Sequence, residues 1–102
     1  MIGIGSPAPE FEAQDSRGAR FRLENLRGKK VILYFFPKAF TTGCTIETRQ
    51  FAELAPVLLE RGVEVVGISV DLAETQGRFA THCRADFPIV ADPTKAIARS
   101  YG

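Results

Sequence analysis

The chain has 102 residues, 45% of them hydrophobic and 25% charged, which fits one soluble domain spanning residues 1–102 and leaves no room for a second core. Thirteen Lys and Arg against twelve Asp and Glu give a net charge of +1 without a basic block, so a nucleic-acid partner is not expected. The N-terminus lacks a basic, then apolar, leader pattern, and no stretch is apolar enough to span a bilayer. A cytoplasmic protein with no membrane partner is therefore expected, and in that reducing setting Cys44 and Cys83 are too few for a disulfide scaffold or a four-cysteine metal site.

In chain order, Pro7 and Pro9 hold the entry extended. Phe11 and Ala13, then Phe21 and Leu23, alternate around Ser16-Arg17-Gly18 as in a β-hairpin. Leu23 to Arg27 fits one helical turn closed by Gly28. Val31 to Phe36 is continuously apolar up to Pro37 and predicts a strand buried on both faces; Val63 to Val70 predicts a second. Between them Phe51, Leu54, Ala55, Leu58 and Leu59 recur at helical spacing, with Pro56 expected to kink the helix or split it in two. Strand, helix, strand implies a parallel crossover. Leu72, Phe79 and Cys83 mark the apolar face of a further helix weakened by Gly77. Phe87 to Ala91 reads as a short strand that Pro88 places at a sheet edge, and Asp92-Pro93 as the N-cap and first residue of a last helix over Thr94 to Tyr101.

Chemistry concentrates after the first buried strand, in Pro37-Lys38-Ala39-Phe40-Thr41-Thr42-Gly43-Cys44-Thr45-Ile46-Glu47. This spacing puts Cys44 in the first turn of a helix at the carboxyl end of a parallel strand, where open α/β sheets bind ligands. Unpaired N–H groups and the helix dipole there favour thiolate over thiol, marking a reactive cysteine rather than a small apolar filler. Thr41, three residues earlier, offers a hydroxyl to an oxygen that gains negative charge as an O–O bond breaks. Other cysteine chemistries fail on spacing. Thr41 occupies the first position of a Cys-x-x-Cys motif, Cys44 and Arg49 enclose four residues where a phosphate-wrapping loop needs five, and His82 with two separated cysteines supplies too few metal ligands.

The same residues resemble the peroxiredoxins. Pro37-x-x-x-Thr41-x-x-Cys44 matches their active-site pattern, while Gly5-x-x-Ala8-Pro9-x-Phe11, the run Lys29 to Lys38, and Gly43-Cys44-Thr45-x-Glu47 are similar to the bacterioferritin-comigratory, or Q-type, subfamily across the whole chain. The resemblance implies an α/β, thioredoxin-like fold with an N-terminal β-hairpin. It also implies a thiol peroxidase that reduces hydrogen peroxide or alkyl hydroperoxides and needs no metal or organic cofactor. By position, Cys44 is then the peroxidatic cysteine, Pro37 its shield, Thr41 a hydrogen-bond partner of sulfur and peroxide, and Glu47 a support of the loop. Regeneration by thioredoxin or another thiol is implied as well.

Two departures qualify the match. Many Q-type members carry a resolving cysteine five residues after the peroxidatic one, where this chain has Arg49; others carry it on the following helix, where Cys83 lies, so Cys83 reads equally as resolver or as core thiol. Family members also continue past the helix ending at Tyr101 into a strand bearing the active-site arginine, another strand and a C-terminal helix. With those C-terminal strands and helix missing, the chain is expected to be C-terminally truncated and its Val31–Phe36 strand to become an open edge. A homo-oligomer that covers this edge is one expectation; the alternative to the thiol peroxidase is a truncated, weakly active remnant acting as a binding or regulatory module through the exposed sheet edge.

Overall fold

The computed structural model describes residues 5–102. The hairpin forms where the alternation places it: β1 (Glu12–Gln14) and β2 (Arg20–Arg22) pair antiparallel with Ala13 opposite Phe21. Its turn is organised by the fully buried Asp15, whose carboxylate accepts from the backbone N–H groups of Arg17 and Ala19 at 2.9 and 3.2 Å and from the Arg17 guanidinium at 2.8 Å. A single 3-10 turn (Leu23–Leu26) follows and closes before Gly28, at a φ of +85° that L side chains rarely adopt.

The two apolar runs become β3 (Lys30–Phe36) and β4 (Val63–Ser69), parallel and in register from Lys30 opposite Val63 to Phe36 opposite Ser69. They are joined by α1 (Thr42–Glu60). After α2 (Ala73–Cys83), β5 (Ile89–Ala91) pairs parallel with β4, so the sheet order is β3-β4-β5, and α3 (Ala96–Tyr101) ends the chain. Strand periodicity sorts the core into two layers. Tyr34, Phe36, Val65 and Ile89 pack with Phe79 and Cys83 of α2 and with Phe51, Ala52, Ala55 and Leu58 of α1. Val66, Ile68 and Val90 pack on the other side with Phe21 of the hairpin and Ile97 of α3. Gly67 is required by this arrangement, because a Cβ there would lie 2.9 Å from the Tyr34 ring.

Five expectations need correction. β3 is not buried on both faces: it forms one edge of the sheet among the described residues, so Val31 to Leu33 are half-buried and Phe35 is 40% exposed. Leu54 and Leu59 point to solvent, since the face of α1 that meets the sheet is centred on Phe51, Ala55 and Leu58 and is narrower than the apolar pattern. Leu72 lies before the first turn of α2 and is exposed, leaving that helix anchored by Phe79 and Cys83. Of the two alternatives for Pro56, the split into two segments is the one overturned, since α1 runs unbroken past it. Finally, α3 starts at Ala96 rather than Thr94: Asp92 still caps it, but across an intervening turn, accepting from the N–H groups of Ile97 and Ala98 at 3.0 Å each.

Pro88 does precede an edge strand. The hairpin covers that edge through an antiparallel bridge between Asp15 and Val90 and a bond from Ser16 N–H to the Ile89 carbonyl at 2.8 Å. The outer edge of β3 has no such cover among the described residues.

Candidate active site

β3 delivers Pro37 to the carboxyl end of the sheet, and residues 37–41 form the loop that enters α1. Ala39 is buried, and its N–H donates to Asp71 Oδ2 at 2.7 Å. Phe40 has a φ of +65°, a left-handed conformation that costs a bulky residue about 1–3 kcal/mol. Its ring is 48% exposed yet stands edge-on to Phe79 at 5.2 Å and lies against His82 at 5.5 Å, so α2 holds the loop from the side. Thr41 occupies the N-cap position in extended conformation, its carbonyl accepting from Thr45 N–H at 2.9 Å. Its exposed hydroxyl donates to the Lys38 carbonyl at 3.0 Å.

Cys44 is the third residue of α1, half-buried and packed against the core layer beneath the helices. The N–H groups of this first turn have no intrahelical acceptors, and the positive end of the helix dipole is directed at the same space. One turn further, the buried Thr48 hydroxyl meets the Tyr34 hydroxyl at 3.0 Å, tying α1 to β3. Tyr34 stacks on Phe51 with ring centroids 4.5 Å apart. Burial pushes its phenol well above the ordinary range. The Thr48 hydrogen bond opposes that, and Glu47, Cys83 and Cys44 add to it.

Cys83 sits at the end of α2 and is 3% exposed. Burial pushes its thiol up, with the charge and hydrogen bonding of Arg49 acting in the opposite direction. Arg49 also reaches His82, Nη2 to Nε2 at 3.3 Å, so the residue five places after Cys44 links α1 to α2 beside the second cysteine. Both cysteines are free thiols. Pro37 and Glu47 are solvent-exposed, and Glu47 takes part in none of the ion pairs seen among the described residues. The structure thus gathers Pro37, Thr41 and Cys44 on one loop and helix start, with Cys83 on the neighbouring helix.

Sequence reasoning passed over Asp71, Phe40, Tyr34 and Thr48. Thr48 carried a signal, being four residues after Cys44 and so on the same helix face; Asp71 carried none, because Ala39 lies 32 positions away from it. No group of three or more His, Cys, Asp or Glu able to hold a metal ion occurs among the described residues. No described helix is long and apolar enough to cross a membrane.

Comparison with known proteins places these features in a family. Residues 4–102 match the model of the AhpC/TSA family. A bcp protein of Helicobacter pylori is 37% identical over 100 residues, 98% of this chain and 66% of its own length. Peroxiredoxin Bcp of Escherichia coli K12 is 34% identical over 101 residues, 99% of this chain and 65% of its own. The chain therefore spans about two thirds of the length of these relatives. Among solved structures, peroxidoxin BcpB of Mycobacterium tuberculosis superposes with a TM-score of 0.90 at 36% identity, covering 96% of this chain and 64% of that one. A yeast mitochondrial 1-Cys peroxiredoxin superposes with a TM-score of 0.92 at 29% identity, covering 99% and 51%. The fold is the thioredoxin-like fold of these proteins.

Proposed function

The chain belongs to the AhpC/TSA family, and from that premise we propose that it is a thiol peroxidase whose nucleophile is Cys44. The observation that carries the reading is the placement of a half-buried thiol at the third residue of α1, one loop after the carboxyl end of the parallel strand β3. In the proposed reaction the Cys44 thiolate attacks one oxygen of a hydroperoxide: the S–O bond forms as the O–O bond breaks, sulfur loses two electrons, and the other oxygen leaves as water or an alcohol after taking a proton. A second thiol then condenses with the sulfenic acid, forming an S–S bond and releasing water. A dithiol reductant such as thioredoxin restores both thiols by exchange. Cys83 supplies that second thiol if α2 opens at its end; otherwise an external thiol does, since Cys83 is buried as it stands.

Thr41 acts on the departing oxygen. Its proton points at the Lys38 carbonyl in the resting state, so binding a peroxide requires that hydrogen bond to be exchanged for one to substrate. Thr41→Val is expected to keep the fold and slow oxidation of Cys44 by roughly a hundred-fold, the cost of one oxyanion donor; an unchanged rate would remove Thr41 from the mechanism. The activity itself is tested by steady-state consumption of hydrogen peroxide and an alkyl hydroperoxide with thioredoxin, and in parallel with glutathione, as reductant. Turnover with thioredoxin supports the full reading, and none with either thiol contradicts it.

One observation favours a second reading, a weakly active module that binds through a sheet edge: the edge of β3 is unpaired among the described residues, Phe35 on it is exposed, and α1 presents Ile46, Leu54 and Val57 to solvent. Unpaired strand N–H and C=O groups next to apolar side chains are a template for another strand. The 102-residue chain is then expected to self-associate at micromolar concentration in sedimentation velocity. A single compact monomer across that range would count against this reading.

A further inference from the structure

We propose that Asp71 is a positioning residue for the Cys44 loop: its carboxylate, steadied by Ser69 and Gln76, fixes the backbone at Ala39 and so sets where Thr41 and the first turn of α1 face a peroxide. This rests on the reading of Cys44 as the nucleophile and adds residues from β4 and α2 to its machinery. Asp71 follows β4 at the same end of the sheet as the loop, and its Oδ2 accepts from Ala39 N–H at 2.7 Å and from Ser69 Oγ at 2.9 Å. Both bonds end on the same carboxylate oxygen.

The direction of the chain of bonds is fixed further in. Gln76, fully buried on α2, donates from Nε2 to Ser69 Oγ and to the Val90 carbonyl, each at 2.9 Å, with the Ser69 carbonyl a more distant acceptor at 3.4 Å; the two short bonds use both amide hydrogens. Ser69 Oγ therefore accepts from Gln76, and its own proton is left for Asp71. Turning the amide over would set Oε1 against the Val90 carbonyl, oxygen to oxygen, so the orientation is determined. Gln76 Oε1 is buried without a partner among the described residues. An orphan acceptor is unfavourable, and a position needed for packing alone would be better filled by an apolar side chain. What Gln76 provides there is the pair of donors that holds Ser69, hence Asp71, hence Ala39.

The loop needs that hold. Phe40, the next residue, keeps its positive φ only while its neighbours over-determine it, and the restraints on either side are the Asp71 bond at Ala39 and the ring contacts with Phe79 and His82. Without the carboxylate, Phe40 can relax and Thr41 shifts with it. A displacement of about 1 Å in a positioned group costs roughly a hundred-fold in rate.

The test uses the full chain with Cys83→Ser, so that Cys44 is the sole thiol, and compares its second-order rate with hydrogen peroxide against its alkylation by iodoacetamide, which needs no O–O stabilisation. Asp71→Ala should slow the peroxide reaction roughly ten- to hundred-fold. Alkylation should stay within about threefold, because the thiol and the helix start remain. Asp71→Asn, which keeps an oxygen for Ala39 N–H, should recover most of the loss. Ser69→Ala, a milder change that keeps the carboxylate, should reproduce the selective loss in part and serves should Asp71→Ala not fold. A peroxide rate undiminished in both Asp71→Ala and Ser69→Ala overturns the proposal, as does an equal fall in both reactions, which marks a merely structural role. A parent that reacts no better with peroxide than with iodoacetamide overturns the nucleophile reading, and this inference with it.

Discussion

Replacing Cys44 with Ser is expected to abolish peroxide reduction while leaving the fold in place. The nucleophile in the proposed reaction is a thiolate, and a serine hydroxyl at the same helix start remains protonated at neutral pH and offers no comparable attack on an O–O bond. The substitution changes one half-buried atom at the rim of the core layer, so circular dichroism and the thermal transition should be close to those of the parent. Cys83→Ser is expected to behave differently: the first equivalent of peroxide is still consumed at the parental rate, and a change follows only in how the oxidised Cys44 is resolved. Stopped-flow consumption of one equivalent of peroxide by the three proteins separates these outcomes. Undiminished consumption by Cys44→Ser would place the chemistry elsewhere.

The second large effect is on stability. Phe79 is fully buried, its ring 5.5 Å from Phe36 of β3 and 5.2 Å from Phe40 of the active loop, so it ties α2 both to the sheet and to the site. Phe79→Ala removes that contact and leaves a cavity, a loss of about 3–5 kcal/mol. For a domain of this length that lowers the melting temperature by roughly 15 to 30 °C, and it consumes much of a net stability of roughly 5–15 kcal/mol. Differential scanning calorimetry of the two proteins checks the value. A shift of only a degree or two would mean that α2 is not anchored as described.

What the sequence made legible follows from how local each signal is. β3 and β4 stand out because both their faces are apolar, and the hairpin because its alternation brackets a Gly-containing turn whose Asp15 bonds its own neighbours. Cys44 at a helix start was readable from eight consecutive residues, since strand end, loop and first turn are contiguous. Apolar periodicity overreached at Leu54, Leu59 and Leu72, where it reports which side of a helix can be buried but not how far the neighbouring layer extends. Gln76 shares a helix face with Phe79 and Cys83, at i, i+3 and i+7, but a polar side chain there reads as solvated until the carbonyls of β4 and β5 are seen around it. The bond between Asp71 and Ala39 is set by the placement of β4 beside β3, which no window of sequence contains.

The claim on which the rest depends is that Cys44 is the sulfur a peroxide oxidises first. Reduced protein mixed with one equivalent of hydrogen peroxide and quenched into dimedone at increasing times, then mapped by peptide mass spectrometry, reads this directly. The dimedone adduct is expected on the peptide carrying Cys44 at the earliest time, with any adduct or disulfide involving Cys83 appearing later. Early labelling confined to Cys83, with Cys44 still reduced, would contradict it.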